Sequence, residues 1–113
     1  MSGREYLGEL ELVILLALVR LGEDAYGVNL RDEIEIRTGR TLTPGTLYPT
    51  LDRLERKGLI RSFLGESTPE RGGRAKRYYV LLARGLDAVR RSWRMMGALG
   101  EGVEGRLDEK RAR

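Results

Sequence analysis

The residues best suited to hold a partner are four cations gathered around two glycines. Arg71, Arg74, Lys76 and Arg77 surround Gly72 and Gly73 in the stretch ESTPERGGRAKRYY, residues 66–79. Guanidinium and ammonium groups donate hydrogen bonds and accept none, so their natural ligands are phosphate or carboxylate oxygens. Paired glycines let the backbone pass close to such a ligand. An ordinary solvated loop also gathers charge, and the tip alone leaves the two readings even.

Catalytic chemistry has little to work with. The chain contains neither cysteine nor histidine, which removes thiol and disulfide chemistry, imidazole bases and His metal ligands. The densest carboxylate group is Asp32, Glu33 and Glu35 beside Arg31 and Arg37. Mixed charges at this helical spacing are typically solvated ion pairs. No serine or lysine has an evident activating partner. No enzymatic activity, metal or cofactor is expected.

The elements that must position the basic tip are those of one small domain. At 113 residues the chain can build a single modest core. Charged residues make up 34% and hydrophobic ones 41%, with a net charge of +4. The excess of positive charge is modest, so its distribution matters more than its sum. The longest apolar run, LVILLALV at residues 12–19, is far below the roughly 20 residues of a membrane-spanning helix. It follows Glu5, Glu9 and Glu11, whereas a signal peptide has a basic flank. A cytoplasmic protein with no membrane association is expected.

Helical periodicity runs over residues 6–21, with Leu7, Leu10, Ile14, Ala17, Leu18 and Leu21 on one face. Leu12, Leu15, Leu16 and Val19 make the opposite face apolar as well. A helix apolar on two faces needs cover on both, which points to a second chain. After Gly22, Asp24 is the expected N-cap of a second helix over 25–38, with Tyr26, Leu30 and Ile34 inward and Gly39 as its stop. Thr43-Pro44 starts a third helix, whose Leu47, Leu51 and Leu54 face inward and which Gly58 ends. Its other face carries Gly45, Thr46, Pro49, Asp52, Arg53 and Arg56. The first turns of that face are small and uncharged, as a helix end pressed into a groove requires. Pro49 removes one helical hydrogen bond, and a structural kink or a kink that aims the first turn are equal readings.

Residues 60–65 and 77–82 read as a β-hairpin around the basic tip. Tyr26 and Tyr78 are expected half in the core, Tyr78 by alternating into the packed face of the hairpin. Tyr48 flanks the third helix as a contact residue. A last helix from about residue 83 carries Leu86, Val89, Trp93 and Met96 at seam spacing, and residues 100–113 are expected to fray.

Three helices and a hairpin make a winged helix-turn-helix over residues 4–82, followed by a dimerisation helix over 83–99: a mainly α fold with a small β-hairpin. In that layout the third helix enters a DNA major groove and the hairpin reaches the neighbouring backbone. The cations of the tip then become phosphate ligands. The segments LGELELVILLALVRLGEDAYGVNL, TPGTLYPTLDRLERKGLI and ERGGRAKRYYVL resemble the PadR family of bacterial transcriptional regulators over about residues 7–84. The resemblance implies a dimeric repressor of the short subclass with one C-terminal helix. It places Tyr26, Thr46, Tyr48, Pro49, Arg53 and the wing residues around Gly73 at the DNA, an inverted-repeat operator. One departure is Leu81-Leu82-Ala83, which lacks the hydroxyl that caps the last helix in many relatives. Leu15, Leu86, Val89, Trp93 and Met96 are expected at the dimer contact. The resemblance also implies a planar aromatic effector at Trp93, against plain packing of that ring. Arg90, Arg91 and Arg94 favour a neutral or anionic ligand. The alternative is a winged helix that binds RNA or protein without operator specificity.

Overall fold

The computed structural model describes residues 6–65 and 75–109. Its elements are α1 (Glu9–Leu21), a 3-10 turn (Gly22–Asp24), α2 (Gly27–Thr38), α3 (Pro44–Arg56), β1 (Ile60–Leu64), β2 (Arg77–Leu81), α4 (Ala83–Gly100) and α5 (Glu104–Leu107).

Helix α1 opens at Gly8, whose N–H donates to Glu11 Oε1 at 3.2 Å. Glu9 and Glu11 in the first turn oppose the positive end of the helix dipole. The helix packs against α2, β2 and α4; on its second apolar face Leu15 is sealed, Leu12 and Leu16 are partly buried and Val19 is 48% exposed. Leu15, expected at a surface shared with a second chain, is 0% exposed and belongs to the chain's own core. The expectation fails because periodicity reports that a face is covered and cannot report by which element.

Helix α2 starts two residues later than expected. Residues 22–24 form the 3-10 turn, and Ala25 is extended, its carbonyl accepting the Tyr79 N–H at 2.9 Å. That bond, with the bridge between Tyr26 and Tyr78, lays the chain along β2 as a short third edge of the sheet. Asn29 rather than Asp24 performs the capping, since its Oδ1 accepts the Tyr26 N–H at 2.8 Å. Its amide also donates to the Asp24 carbonyl.

Helix α3 forms as its local signals direct. The Thr43 hydroxyl accepts the Thr46 N–H at 3.2 Å, and Pro44 occupies the first helical position. At the other end Leu59 N–H reaches the Leu54 carbonyl and Gly58 N–H the Glu55 carbonyl. This Schellman closure needs the left-handed backbone that Gly58 supplies at φ 78°.

The hairpin is antiparallel, pairing Ile60 with Leu81, Ser62 with Tyr79 and Phe63 with Tyr78. Ile60 and Tyr79 are buried, while Phe63 and half-buried Tyr78 share the opposite face. The inward tyrosine is therefore Tyr79; Tyr78 keeps the half-buried character expected of it and loses the orientation.

Helix α4 begins at Ala83 without a side-chain cap, Leu86 N–H bonding the Leu82 carbonyl. Gly85 lets it press onto the end of α3: a β-carbon there would lie 2.2 Å from the Leu59 carbonyl oxygen. The expected seam divides in two. Val89 is buried in the chain's own core and Leu86 is partly buried, whereas Trp93 is 63% and Met96 57% exposed. Beyond α4, a turn with Gly102 at φ 77° leads into α5, so part of the tail expected to fray is helical. No helix among the described residues is long and apolar enough to cross a membrane.

Candidate nucleic-acid interface

On α3 the leucine face is sealed and the opposite face is open. Leu47, Leu51 and Leu54 are fully buried, while Gly45, Thr46, Pro49, Asp52, Arg53 and Arg56 are all exposed. Pro49 lies within the helix. One residue on, the Thr50 hydroxyl donates back to the Thr46 carbonyl at 2.8 Å. The open face presents small uncharged groups at its first turns and, further along, Asp52 with the two cations Arg53 and Arg56.

Tyr48 stands at the flank of this face, 40% exposed. Its phenol crosses the start of α2 so closely that a β-carbon on Gly27 would lie 1.9 Å from the hydroxyl oxygen. Gly27 is thus the residue that lets α2 and Tyr48 meet. The adjacent Tyr79 phenol is held above its ordinary value of 10.0, by burial first and by Tyr48 next, and stays neutral at physiological pH.

Arg53 is tied to α1. Its Nε lies 3.5 Å from Glu11 Oε2, and Lys57 Nζ lies 2.9 Å from the same oxygen. Burial is the largest influence on Glu11 and works against ionisation. The Lys57 bond, the Gly8 N–H, the Lys57 charge and Arg53 together outweigh it and hold the carboxyl below its usual 4.5.

The base of the wing is an aromatic and cationic ladder. Lys76 Nζ sits 4.3 Å from the Tyr26 ring centre, Tyr26 meets Tyr78 edge-on at 5.4 Å, and Tyr78 stacks on Phe63 at 5.6 Å. The cation–π contact holds Lys76 against the start of α2. Arg77 donates to Ser62 Oγ at 3.2 Å, and Ser62 is bound in turn by the Glu55 carboxylate of α3. Helix α3 and the wing strands are therefore joined by polar bonds as well as by the core. Arg71, Gly72, Gly73 and Arg74 lie outside the described residues.

Of the carboxylates weighed for catalysis, Glu33 is ion-paired: it meets Arg20 at 2.8 Å and Arg37 at 3.1 Å. Those two arginines, in that order, hold its carboxyl below the usual 4.5. Sequence reasoning misses Glu11, Gly27 and Phe63. Glu11 gives one signal, a carboxylate at the mouth of the most apolar run in the chain.

A capped third helix with an open outer face, followed by a two-stranded hairpin and backed by a long fourth helix, defines a winged helix-turn-helix protein. The chain belongs to the PadR-like family of transcriptional regulators, whose family model matches residues 14–91. Similar solved structures include a PadR family transcriptional regulator from Eggerthella lenta, 30% identical over 90% of this chain and 88% of that one, with a TM-score of 0.67. A PadR-like transcriptional regulator from Bacillus cereus is 25% identical over 89% and 93%, with a TM-score of 0.72. An uncharacterised protein of Lysinibacillus sphaericus is 33% identical over 75 residues, and the chain spans 65% of that relative's length.

Proposed function

We propose that the chain binds duplex DNA as a homodimer and represses transcription at an inverted-repeat operator. The observation that carries this reading is the open face of α3. Its first turns are small and uncharged at Gly45, Thr46 and Pro49, so they fit a major groove without repelling phosphates. Arg53 and Arg56 follow on the same face, and Lys76 and Arg77 stand at the base of the wing. Tyr26 and Tyr48 flank the two groups. The exposed distal part of α4, with Trp93 and Met96, is the surface a second copy would cover. Such a regulator works in the cytoplasm.

Selection of duplexes from a randomised pool, followed by footprinting, tests the reading. Two protected half-sites about 10 bp or a multiple apart are expected. Preference for RNA of the same sequence, or a single short protected site, overturns it.

A second reading is carried by Trp93, exposed beside Arg90 and Arg94 on the same helix. A planar aromatic ligand, neutral or anionic, would stack on the indole and release the operator. Each such stack is worth about 0.5–1.5 kcal/mol beyond area burial. Calorimetric titration with planar aromatic compounds should show binding that Trp93→Leu abolishes.

A further inference from the structure

The geometry points to Glu11 as the positioning residue for Arg53: a buried carboxylate of α1 sets the arginine that α3 offers to a base pair. The inference rests on the DNA-binding reading and adds to it a residue outside the reading face.

Glu11 is 7% exposed, although it sits in the first turn of its helix. One of its oxygens is fixed by the Gly8 N–H at 3.2 Å, which ties the side chain to its own helix start. The other oxygen serves both cations, Lys57 Nζ at 2.9 Å and Arg53 Nε at 3.5 Å. A guanidinium has two edges that can grip a pair of acceptors. The edge that carries Nε is turned to Glu11, so the Nη1–Nη2 edge remains for the partner. That edge carries two parallel N–H donors and can read O6 and N7 of guanine bidentately. An arginine on an open helix face must otherwise give up its rotamer freedom at the moment of binding. Glu11 removes much of that freedom beforehand. It does so without presenting negative charge to DNA, because Lys57 and Arg53 together exceed it by one positive charge. Simple structural pairing would require only Lys57; the approach of Arg53 to the same oxygen is what links the carboxylate to readout.

The test uses the full-length protein and the duplex it selects from a randomised pool. For the wild type, Arg53→Ala, Glu11→Gln, Glu11→Asp and the Glu11→Gln/Arg53→Ala pair, the affinity ratio between that duplex and each single-base-pair variant is measured. Helical circular dichroism is recorded in parallel. Arg53→Ala should lose discrimination of about tenfold at particular base pairs. Glu11→Gln, and Glu11→Asp whose shortened side chain withdraws from Arg53, should lose discrimination at those same pairs, and the double variant should lose no more than Arg53→Ala alone. If Glu11→Gln or Glu11→Asp folds and keeps full discrimination there, or loses it evenly across all positions, the inference is overturned. If both variants lose their helical signal, Glu11 is a folding residue and the inference is likewise overturned. If the wild type selects no duplex, the DNA-binding reading falls instead, and this inference with it.

Discussion

The hydroxyl of Tyr48 occupies the space that a β-carbon on Gly27 would need, 1.9 Å from its ideal position. The contact joins the flank of α3 to the first turn of α2 through a missing side chain. Gly27→Ala should therefore expel the phenol. The atoms in conflict are the far end of a side chain that can swing away. Stability should change by less than about 1 kcal/mol, helped by alanine's better helix propensity. Operator affinity should fall as far as it does in Tyr48→Ala, and the two substitutions together should cost no more than either alone. Urea unfolding and mobility shifts on the same samples check both halves.

Gly85 makes the opposite case. A β-carbon there would meet the Leu59 carbonyl at 2.2 Å, and this neighbour is backbone. Gly85→Ala should destabilise the fold by about 1–3 kcal/mol, lowering the melting temperature by roughly 4 °C or more. A melting temperature equal to that of the wild type would contradict the close approach of α4 to Leu59.

Stability in acid should follow Glu11. Its carboxyl is held below 4.5 in the folded chain, so its ion pairs stabilise fully above about pH 4.5 and are lost as pH falls through the depressed folded-state value. The gap in melting temperature between the wild type and Glu11→Gln should be widest near neutral pH and shrink as the solution is acidified below about 4.5. Glu33 is depressed in the same direction by Arg20 and Arg37, so acid should still weaken the Glu11→Gln variant. A gap that is constant with pH contradicts the ion-paired carboxylate.

The apolar residues of α1 and α4 should respond differently to charge. Leu15 is sealed in the chain's own core while Met96 is 57% exposed. Leu15→Asp buries an unpaired charge and should unfold the chain. Met96→Asp should leave the circular dichroism of the fold intact and shift sedimentation toward monomer. A dimer that survives Met96→Asp and Trp93→Asp would move the subunit contact elsewhere.

Salt should separate the residues that hold phosphates from those that read bases. With about four phosphates held per subunit, log affinity against log salt should have a slope of about −7. Lys76→Ala or Arg77→Ala should each flatten it by about 2, because each subunit of the dimer then neutralises one phosphate fewer. Thr46→Ala should keep the slope and change which duplexes are preferred. Equal behaviour of the two sets would dissolve the division.

Much of this architecture is legible in the sequence because its signals are local. Thr43, Pro44 and Gly58 bound α3 through chemistry that a neighbouring residue completes, and they operate as the sequence implies. The start of α2 is not legible in that way, because Ala25 answers to Tyr79, a partner on the last strand. Leu15 and Val89 point equally well to a second chain, since a covered face looks the same whether its cover is α4 or another molecule. Glu11 is hidden for a related reason: its partner Lys57 lies 46 residues away, and spacing rules see only a few residues along one helix. The outward face of α3 is readable because composition alone distinguishes it from an ordinary solvated surface.

The closure of α3 has a mechanical consequence. Leu59 donates its N–H to the Leu54 carbonyl and accepts the Leu82 N–H on its own carbonyl at 3.0 Å, the same oxygen that Gly85 approaches. One residue is therefore the common abutment of the helix that faces outward and the helix that carries Trp93. At that point the two helix ends meet through one peptide. A tilt of α4 about that point has to be absorbed within a single peptide, or passed on as a rotation of α3.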